Sequence, residues 1–489
     1  MVSKSRSRAS STKKGATSFN IINSALLMLY TVLSLIVTFM MYTYNFLAFH
    51  HLNLVVAGIL FFFFILWLIL IVKKQAKILS MISLILANLI LALTLFAFKS
   101  TIDFTAKINK TASFSEVEMS VVVPKDSQVT SISEVKEVQA PTDMDHSNIS
   151  ALLKHIKEVK KTNLSTNKVA SYKDGYDSLM ADSSKAMVLN SAYGPLIEQA
   201  DSNYKDKLKT IYTYKVKKAI KSTTPTSSNK DVINVYISGI DTYGPISTVS
   251  RSDVNIILTA NTKTHQVLLT TTPRDSYVKI PGGGADQYDK LTHAGIYGVE
   301  TSMATLENLY GIKISNYARI NFTTFMDLID LLGGIEVVND TAFTSYHGNY
   351  VFPKGNVKLN SERALGFVRE RYSLQGGDND RGKNQEKVIS AVIQKLASIK
   401  SPSQFTAIVS GLQNSVQTNL SLNQLLTIAN SQVADRSSYT VTSQAVTGTG
   451  STGELPSYAM PGSALYMLKL DEKSVEAAKE AIKNTMEGN

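Results

Sequence analysis

Three long apolar stretches follow one another near the start of this chain, and nothing else in it restricts folding as strongly. They run from about Ile21 to Phe49, Leu52 to Val72 and Ile78 to Phe98, and none holds a charged side chain. Each has about 20 residues or more, enough to cross ~30 Å of hydrocarbon as a helix. A helix in a soluble core is shorter and amphipathic. The first stretch also exceeds a signal-peptide apolar region and is followed by two more, which argues against a cleaved leader. Lys4, Arg6, Arg8, Lys13 and Lys14 precede it, and Lys73, Lys74 and Lys77 separate the second stretch from the third. The link between the first two has no Lys or Arg. The positive-inside bias therefore predicts a multi-pass cell-membrane protein with a cytoplasmic N-terminus and everything after Lys99 outside. A cytoplasmic basic tail is expected over 1–20, too short to fold and drawn to anionic membrane lipid. Three transmembrane helices are expected over 21–98.

The net charge of +11 belongs to the same region. The first hundred residues hold nine Lys/Arg and no acid, which leaves 50 − 9 = 41 basic against 39 acidic residues afterwards. The bulk of the chain is nearly neutral, so no nucleic-acid partner is expected. With no cysteine in 489 residues, a disulfide framework, a thiol nucleophile and a Cys-ligated metal are excluded. Outside the membrane ATP is scarce, so any group transfer needs a donor that arrives activated.

The exterior portion reads as two parts. Residues 112–220 mix strand-like runs (Met119 to Val123, Ala186 to Leu189) with a helical one (Ile149 to Lys160), as in a small extracellular accessory α/β or α+β domain. This part carries no clustered His, phosphate loop or catalytic set. The polar, Pro-containing run 221–230 reads as a linker. From 231 to 489, Val232 to Ile240, Val254 to Thr259, Gln266 to Thr271 and Ile335 to Val338 read as strands. Helices are expected over Thr323 to Leu332, from Ser361 to Phe367 behind a cap at Asn360, over Gln385 to Ile399, as a pair at about 402 to 431, and from about Glu472 to Met486. Strands alternating with helices predict a three-layer α/β domain.

Charged residues gather at the ends of these strands. Asp241 ends the first, Ser250-Arg251-Ser252-Asp253 opens the second, and Pro273-Arg274-Asp275 ends the third. Arg369-Glu370-Arg371 follows the helix from Ser361, and the two arginines can converge only if that helix has ended before Arg369. Asp378, Arg381 and Gln385 then fall at +3 and +4 spacing where a helix starts. Guanidinium forks bind phosphate oxygens in pairs and stay charged. Two carboxylates at strand ends can hold an octahedral Mg²⁺ that keeps water and phosphate oxygens as its other ligands. The combination reads as a pyrophosphate site with one metal; surface ion pairs are the alternative. Gly377-x4-Gly382-Lys383-Asn384 nearly matches a P-loop, but Asn384 replaces the Ser/Thr that would hold Mg²⁺. Gly282-Gly283-Gly284 lacks a dinucleotide spacing and is expected to form a mobile loop beside the site. His293 and His347 are isolated and read as structural.

The motifs ISGID (237–241), SRSD (250–253), TPRDSYVKI (272–280), INFTTFMDLIDLLGGIEV (320–337) and LNSERALGFVRERYSLQGGDNDRGKNQ (359–385) together resemble the LytR–CpsA–Psr family, in particular its capsule-type CpsA members. The resemblance covers nearly the whole chain and implies a three-layer α/β fold with a central mixed sheet. It implies an enzyme that transfers capsular polysaccharide or a similar glycan from a polyprenyl-pyrophosphate carrier to peptidoglycan, leaving a phosphodiester. Asp241 and Asp253 then become Mg²⁺ ligands, and Arg251, Arg274, Arg369, Arg371, Arg381 and Gln385 bind the pyrophosphate. Arg274, Arg369 and Arg371 also act in catalysis, with Asp378 the candidate base. The lipid tail is expected in an apolar tunnel, with helices 323–332 and 385–399 placed to line it. A capsule-synthesis complex is a further expected partner. Tyr243 stands where many members have Arg, and Asn384-Gln385-Glu386 where many have Arg-Gln-Gln. Hydrolysis of the lipid pyrophosphate, or a membrane sensor of capsule synthesis, are the competing readings.

Overall fold

The computed structural model describes residues 5–220, 231–240, 242, 245–398, 408, 411, 416–426 and 439–489. They form two compact units. One holds the residues up to Ala106 with a short segment from Ser421; the other holds Lys107–Leu420 and Tyr439–Asn489.

In the first unit, helices α1 (Ser5–Tyr44), α2 (Leu52–Val72) and α3 (Lys77–Ala112) carry the apolar stretches. Phe19–Tyr44, Phe49–Val72 and Lys77–Asp103 are long and apolar enough to cross a membrane. The basic tail, expected not to fold, instead continues α1 back to Ser5. Extending an existing helix fixes one residue per hydrogen bond, and only nucleation is costly. Polar side chains tie these helices together where water cannot. Asn23 Nδ2 donates to Lys77 O (2.9 Å), Asn88 Nδ2 to Leu26 O (3.1 Å), and Trp67 Nε1 to Ser83 Oγ (3.0 Å).

The second unit opens with β1 (Phe114–Pro124), β2 (Glu137–Ala140), α4 (His146–Lys160), β3 (Ser165–Lys168), α5 (Tyr172–Ala181), β4 (Met187–Asn190), α6 (Gly194–Ala200) and β5 (Leu208–Ala219). The strands form one sheet in the order β3-β2-β4-β1-β5, parallel at β2 and antiparallel around β1. α4 lays Ile149, Leu152 and Ile156 onto it at helical spacing.

The rest of the unit begins with β6 (Val232–Ile240), β7 (Ser252–Asn261), β8 (Gln266–Thr271), β9 (Tyr277–Ile280) and β10 (Gln287–Lys290). Next come α7 (Leu291–Ala294), α8 (Val299–Tyr310), β11 (Asn316–Ile320), α9 (Phe322–Leu331), β12 (Ile335–Asn339), β13 (Phe343–Thr344), β14 (Val351–Phe352) and β15 (Gly355–Leu359). It closes with α10 (Ser361–Arg369), α11 (Asp378–Ala397), β16 (Gln417–Thr418), β17 (Thr440–Ala445), β18 (Gly448–Thr452), β19 (Tyr466–Leu470) and a C-terminal helix, Glu472–Glu487. A six-stranded mixed sheet, β16-β11-β6-β7-β8-β17, lies at the centre, parallel at β6/β11 and β8/β17. Alternation along each strand feeds two cores. Tyr236, Ile257 and Leu268 pack toward α8 and the C-terminal helix; Ile256, Val267 and Leu269 pack toward Ile389 of α11. That makes three layers.

The five-stranded part and this α/β part share a core, in which Val121 and Tyr193 meet Val249, Ile296 and Met467. Hydrogen bonds also join them: Glu116 N donates to Ser247 O (2.8 Å) and Val249 N to Glu116 O (2.9 Å). The run 221–230 read as a linker lies outside the described residues, as does most of the helix pair expected at 402 to 431.

Candidate active site

Register brings the site together. β7 pairs antiparallel with β6 and β8, so the pairs Ile240↔Ser252 and Ile256↔Thr271 fall on one edge of the central sheet. The end of β6, the start of β7 and the turn after β8 all meet there. β11, parallel to β6, ends on the same edge and delivers Asn321 and Phe322. A cavity of about 990 Å³ opens at this edge. Arg251, Asp253, Arg274, Arg369, Arg371, Asp378, Arg381 and Gln385 all line it. Asp241 and Tyr243 lie outside the described residues. Apolar side chains line it as well: Ile237, Val254, Ile320, Phe325, Leu365, Val368, Val388, Ile389 and Leu465. Both helices expected to flank an apolar tunnel contribute to it, α9 through Phe325 and α11 through Val388 and Ile389.

The loop before Asp253 is pinned from two sides. Arg319, fully buried, donates from Nη2 to Thr248 O (2.7 Å) and from Nη1 to Ile246 O (3.2 Å). Burial pushes its guanidinium down to about 10, with Tyr317 and Tyr236 opposing. Behind Arg251, Gly295 sits so close that a Cβ there would lie 2.6 Å from Ser250 O and Ser252 N. α10 is capped by Asn360, whose Oδ1 accepts from Arg363 N (3.0 Å). It runs through Arg369 before Glu370 turns extended. The helix thus ends at Arg369 rather than before it, and one extended residue suffices to bring both arginines to the cavity. Arg369 stacks over Phe322, 4.3 Å from the ring centroid. α11 begins at Asp378, seven residues earlier than its apolar spacing suggests, and follows Gly377 at φ +52°. The P-loop-like run is therefore the first turns of a helix.

Three aspartates line the cavity and differ in state. Burial would raise Asp253, but Arg274, Arg251 and Arg381 overcome this and hold it at about 2. Arg274 Nη1 lies 2.6 Å from its Oδ2, and Thr292 donates to Oδ1 at 3.1 Å. Asp275 is likewise buried, and is held below its ordinary value by Arg274 and by Lys290, whose Nζ lies 2.8 Å away. Asp378 is pushed up by burial against the opposing charge of its partner Arg381. Gln385 Nε2 donates to Val368 O (3.3 Å), and Arg371 Nη2 to Tyr372 Oη (2.7 Å).

Among the described residues no group of three or more His, Cys, Asp and Glu side chains gathers to hold a metal. Besides Asp275, which Lys290 engages, Asp253 offers a hard oxygen donor kept ionised on the cavity wall. A carboxylate accepts about four hydrogen bonds or metal contacts, so its bonds to Arg274 and Thr292 leave capacity. A donor set this small fits Mg²⁺, which keeps several waters and phosphate oxygens, better than it fits a caged ion.

Lys290, Asp275, Tyr466 and the α6 residues Pro195, Glu198 and Gln199 also line the cavity, as does His347, whose isolation in the sequence suggests a structural role. Apart from Asp275, read with Arg274 at the end of its strand, none had a local signal, since each arrives through tertiary packing. His293 is fully buried away from it, its Nδ1 2.9 Å from Asp289 Oδ1. The triple glycine is not a loop beside this site. It forms a tight turn packed on Tyr297 and Ile280, where a Cβ on Gly283 would lie 2.6 Å from the Tyr297 ring. Of Asn384, Gln385 and Glu386, only Gln385 reaches the cavity.

Fold and cavity define a membrane-anchored α/β protein with an arginine-rich site that apolar side chains also line. The model of the LytR_cpsA_psr family matches residues 198–484, and the chain belongs to that family. A second model, that of a DNA polymerase processivity factor, matches residues 73–189, a minority of the chain. The chain is 36% identical over 220 residues to the polyisoprenyl-teichoic acid–peptidoglycan teichoic acid transferase TagU of Enterococcus faecalis, covering 44% of this chain and 71% of that protein. The protein of the same name from Oceanobacillus iheyensis is 30% identical over 272 residues, 54% of this chain and 78% of its own. The crystal structure of B. subtilis TagU aligns at 28% identity and a TM-score of 0.41, over 52% of this chain and 97% of that one.

Proposed function

We propose that this protein is a phosphotransferase that moves a glycan polymer from a polyprenyl-pyrophosphate carrier onto peptidoglycan. The observation that carries the reading is one cavity holding both the arginine cluster and an apolar lining, suited to the two halves of a lipid pyrophosphate. The names of its TagU relatives, each a polyisoprenyl-teichoic acid–peptidoglycan transferase, agree with that substrate class. Capsular polysaccharide is the glycan we favour, and a capsule-synthesis complex the assembly in which it would act. The loop charges support a cytoplasmic N-terminus and an exterior site.

In the reaction, a sugar hydroxyl of peptidoglycan attacks the phosphorus bonded to the glycan. The bond from that phosphorus to the bridging oxygen breaks, and polyprenyl monophosphate leaves with the electron pair. The hydroxyl proton passes to Asp378, whose raised affinity for protons suits a base. Arg251, Arg274, Arg369, Arg371, Arg381 and Gln385 hold the phosphate oxygens and stabilise charge that grows in the transition state. Asp253, with Asp241, would hold Mg²⁺, which supplies further charge neutralisation when bound. Catalysis of this kind is mostly positioning and electrostatics. Losing one such donor typically costs about 10²–10³ in rate. Arg371→Ala and Arg274→Ala are expected to lose that much transfer, with an unchanged circular-dichroism spectrum. Near-wild-type turnover in either variant would sink the assignment.

A further inference from the structure

The cavity rim carries aromatic surface that pyrophosphate chemistry does not use. Tyr346 and Tyr372 are 68% and 65% exposed, with ring centroids 5.2 Å apart at 57°. Tyr372 lines the cavity, and Arg371 lies over its ring at 4.7 Å. His347, which also lines the cavity, packs edge-on against Tyr346 at 5.2 Å. Exposed rings are informative when something holds them in place. Here Glu370, only 1% exposed, accepts the backbone N–H of Tyr346 and that of Ser373 (2.8 Å). One buried carboxylate thus clamps the β13–β14 loop to the segment carrying Tyr372. Burial would raise Glu370, and these backbone donors hold it below the usual carboxylate value. From the five-stranded part, exposed Glu198 and Gln199 of α6 line the same cavity.

Flat rings stack on the C–H face of a pyranose, while carboxylate and amide side chains bond its hydroxyls. We propose that the Tyr346–Tyr372 pair is a sugar-stacking subsite for the first sugars joined to the pyrophosphate, with Glu198 and Gln199 bonding their hydroxyls. Arg371 touches both Tyr372 and the cavity, so the sugar on the bound phosphate is the one within reach. This assignment rests on the transferase reading for the identity of the donor. It gives the five-stranded part a role in glycan choice that its own sequence does not reveal.

The test measures binding by the full-length protein, in lipid nanodiscs, of two probes: polyprenyl pyrophosphate bearing an oligosaccharide, and bare polyprenyl pyrophosphate. Tyr372→Ala is expected to weaken the glycan-bearing probe about tenfold more than the bare probe, the size of one aromatic contact, the loss shared by both probes reading the contact of Tyr372 with Arg371. Tyr372→Phe, which keeps the ring, should retain most of the preference, and Glu198→Ala with Gln199→Ala should reduce it. Equal loss for both probes, or no loss, overturns the subsite. So does an intact preference with both probes weakened only in nanodiscs of anionic lipid, which would make the tyrosines a membrane contact. If the wild type binds neither probe, the transferase reading itself falls and the subsite with it.

Discussion

At the scale of single residues, the decisive contrast is between Asp253 and Asp378, two carboxylates in one cavity pushed in opposite directions. Three arginines keep Asp253 ionised down to about 2, so its contribution to stability is present above about pH 4 and lost as pH falls toward 2. Asp378 behaves in the reverse sense. Its folded-state value lies above the ordinary one, so a base at this position loses its proton later than usual. Transfer should therefore fall on acidification through a value above the ordinary Asp range of about 4. Asp378→Asn should lower the rate and remove that limb from the pH–rate profile; an unchanged limb would assign the base elsewhere. Arg251, Arg274 and Asp253 were legible in the sequence because strand-end charge is unusual. Lys290 and His347 were not, because nothing near them in the chain says that a cavity lies beside them.

At the scale of elements, strands read true where both faces are buried. Val232–Ile240 and Gln266–Thr271 have the bounds their apolar runs suggest. α11 did not, because Asp378 to Asn384 is almost wholly polar; acidic residues in the first turn and the Asp378–Arg381 pair favour a helix that periodicity cannot show. The same blindness applies to Gly295, an ordinary glycine in sequence that lies against the backbone of Ser250 to Ser252. A methyl group there has to displace main chain. Gly295→Ala should thus reduce transfer by displacing Arg251 and Asp253, and lower the melting temperature by several degrees, an effect of about 1–3 kcal/mol. Calorimetry and a transfer assay on the same preparation check it; a variant normal in both would mean the loop can move freely.

At the scale of the whole molecule, the apolar spans and the proposed site act together on the encounter with the donor. The proposed donor is a membrane lipid, and a protein anchored in the same bilayer meets it at high effective concentration without any new contact. Turnover should therefore fall by about 10² or more when protein and donor are carried in separate micelles instead of one vesicle. Equal rates in both would show that the anchor does not matter for encounter. The membrane part was legible from apolar length and the absence of charge. The union of the five-stranded and six-stranded parts was not, since Glu116 and Ser247 meet across more than a hundred residues.

The most direct test puts the full-length protein in vesicles with a polyprenyl-pyrophosphate glycan, Mg²⁺ and peptidoglycan on the outer side, and follows both products together. Polyprenyl monophosphate and wall-bound glycan should appear in equal amounts. Lipid phosphate accompanied only by free glycan would contradict this and make the protein a hydrolase.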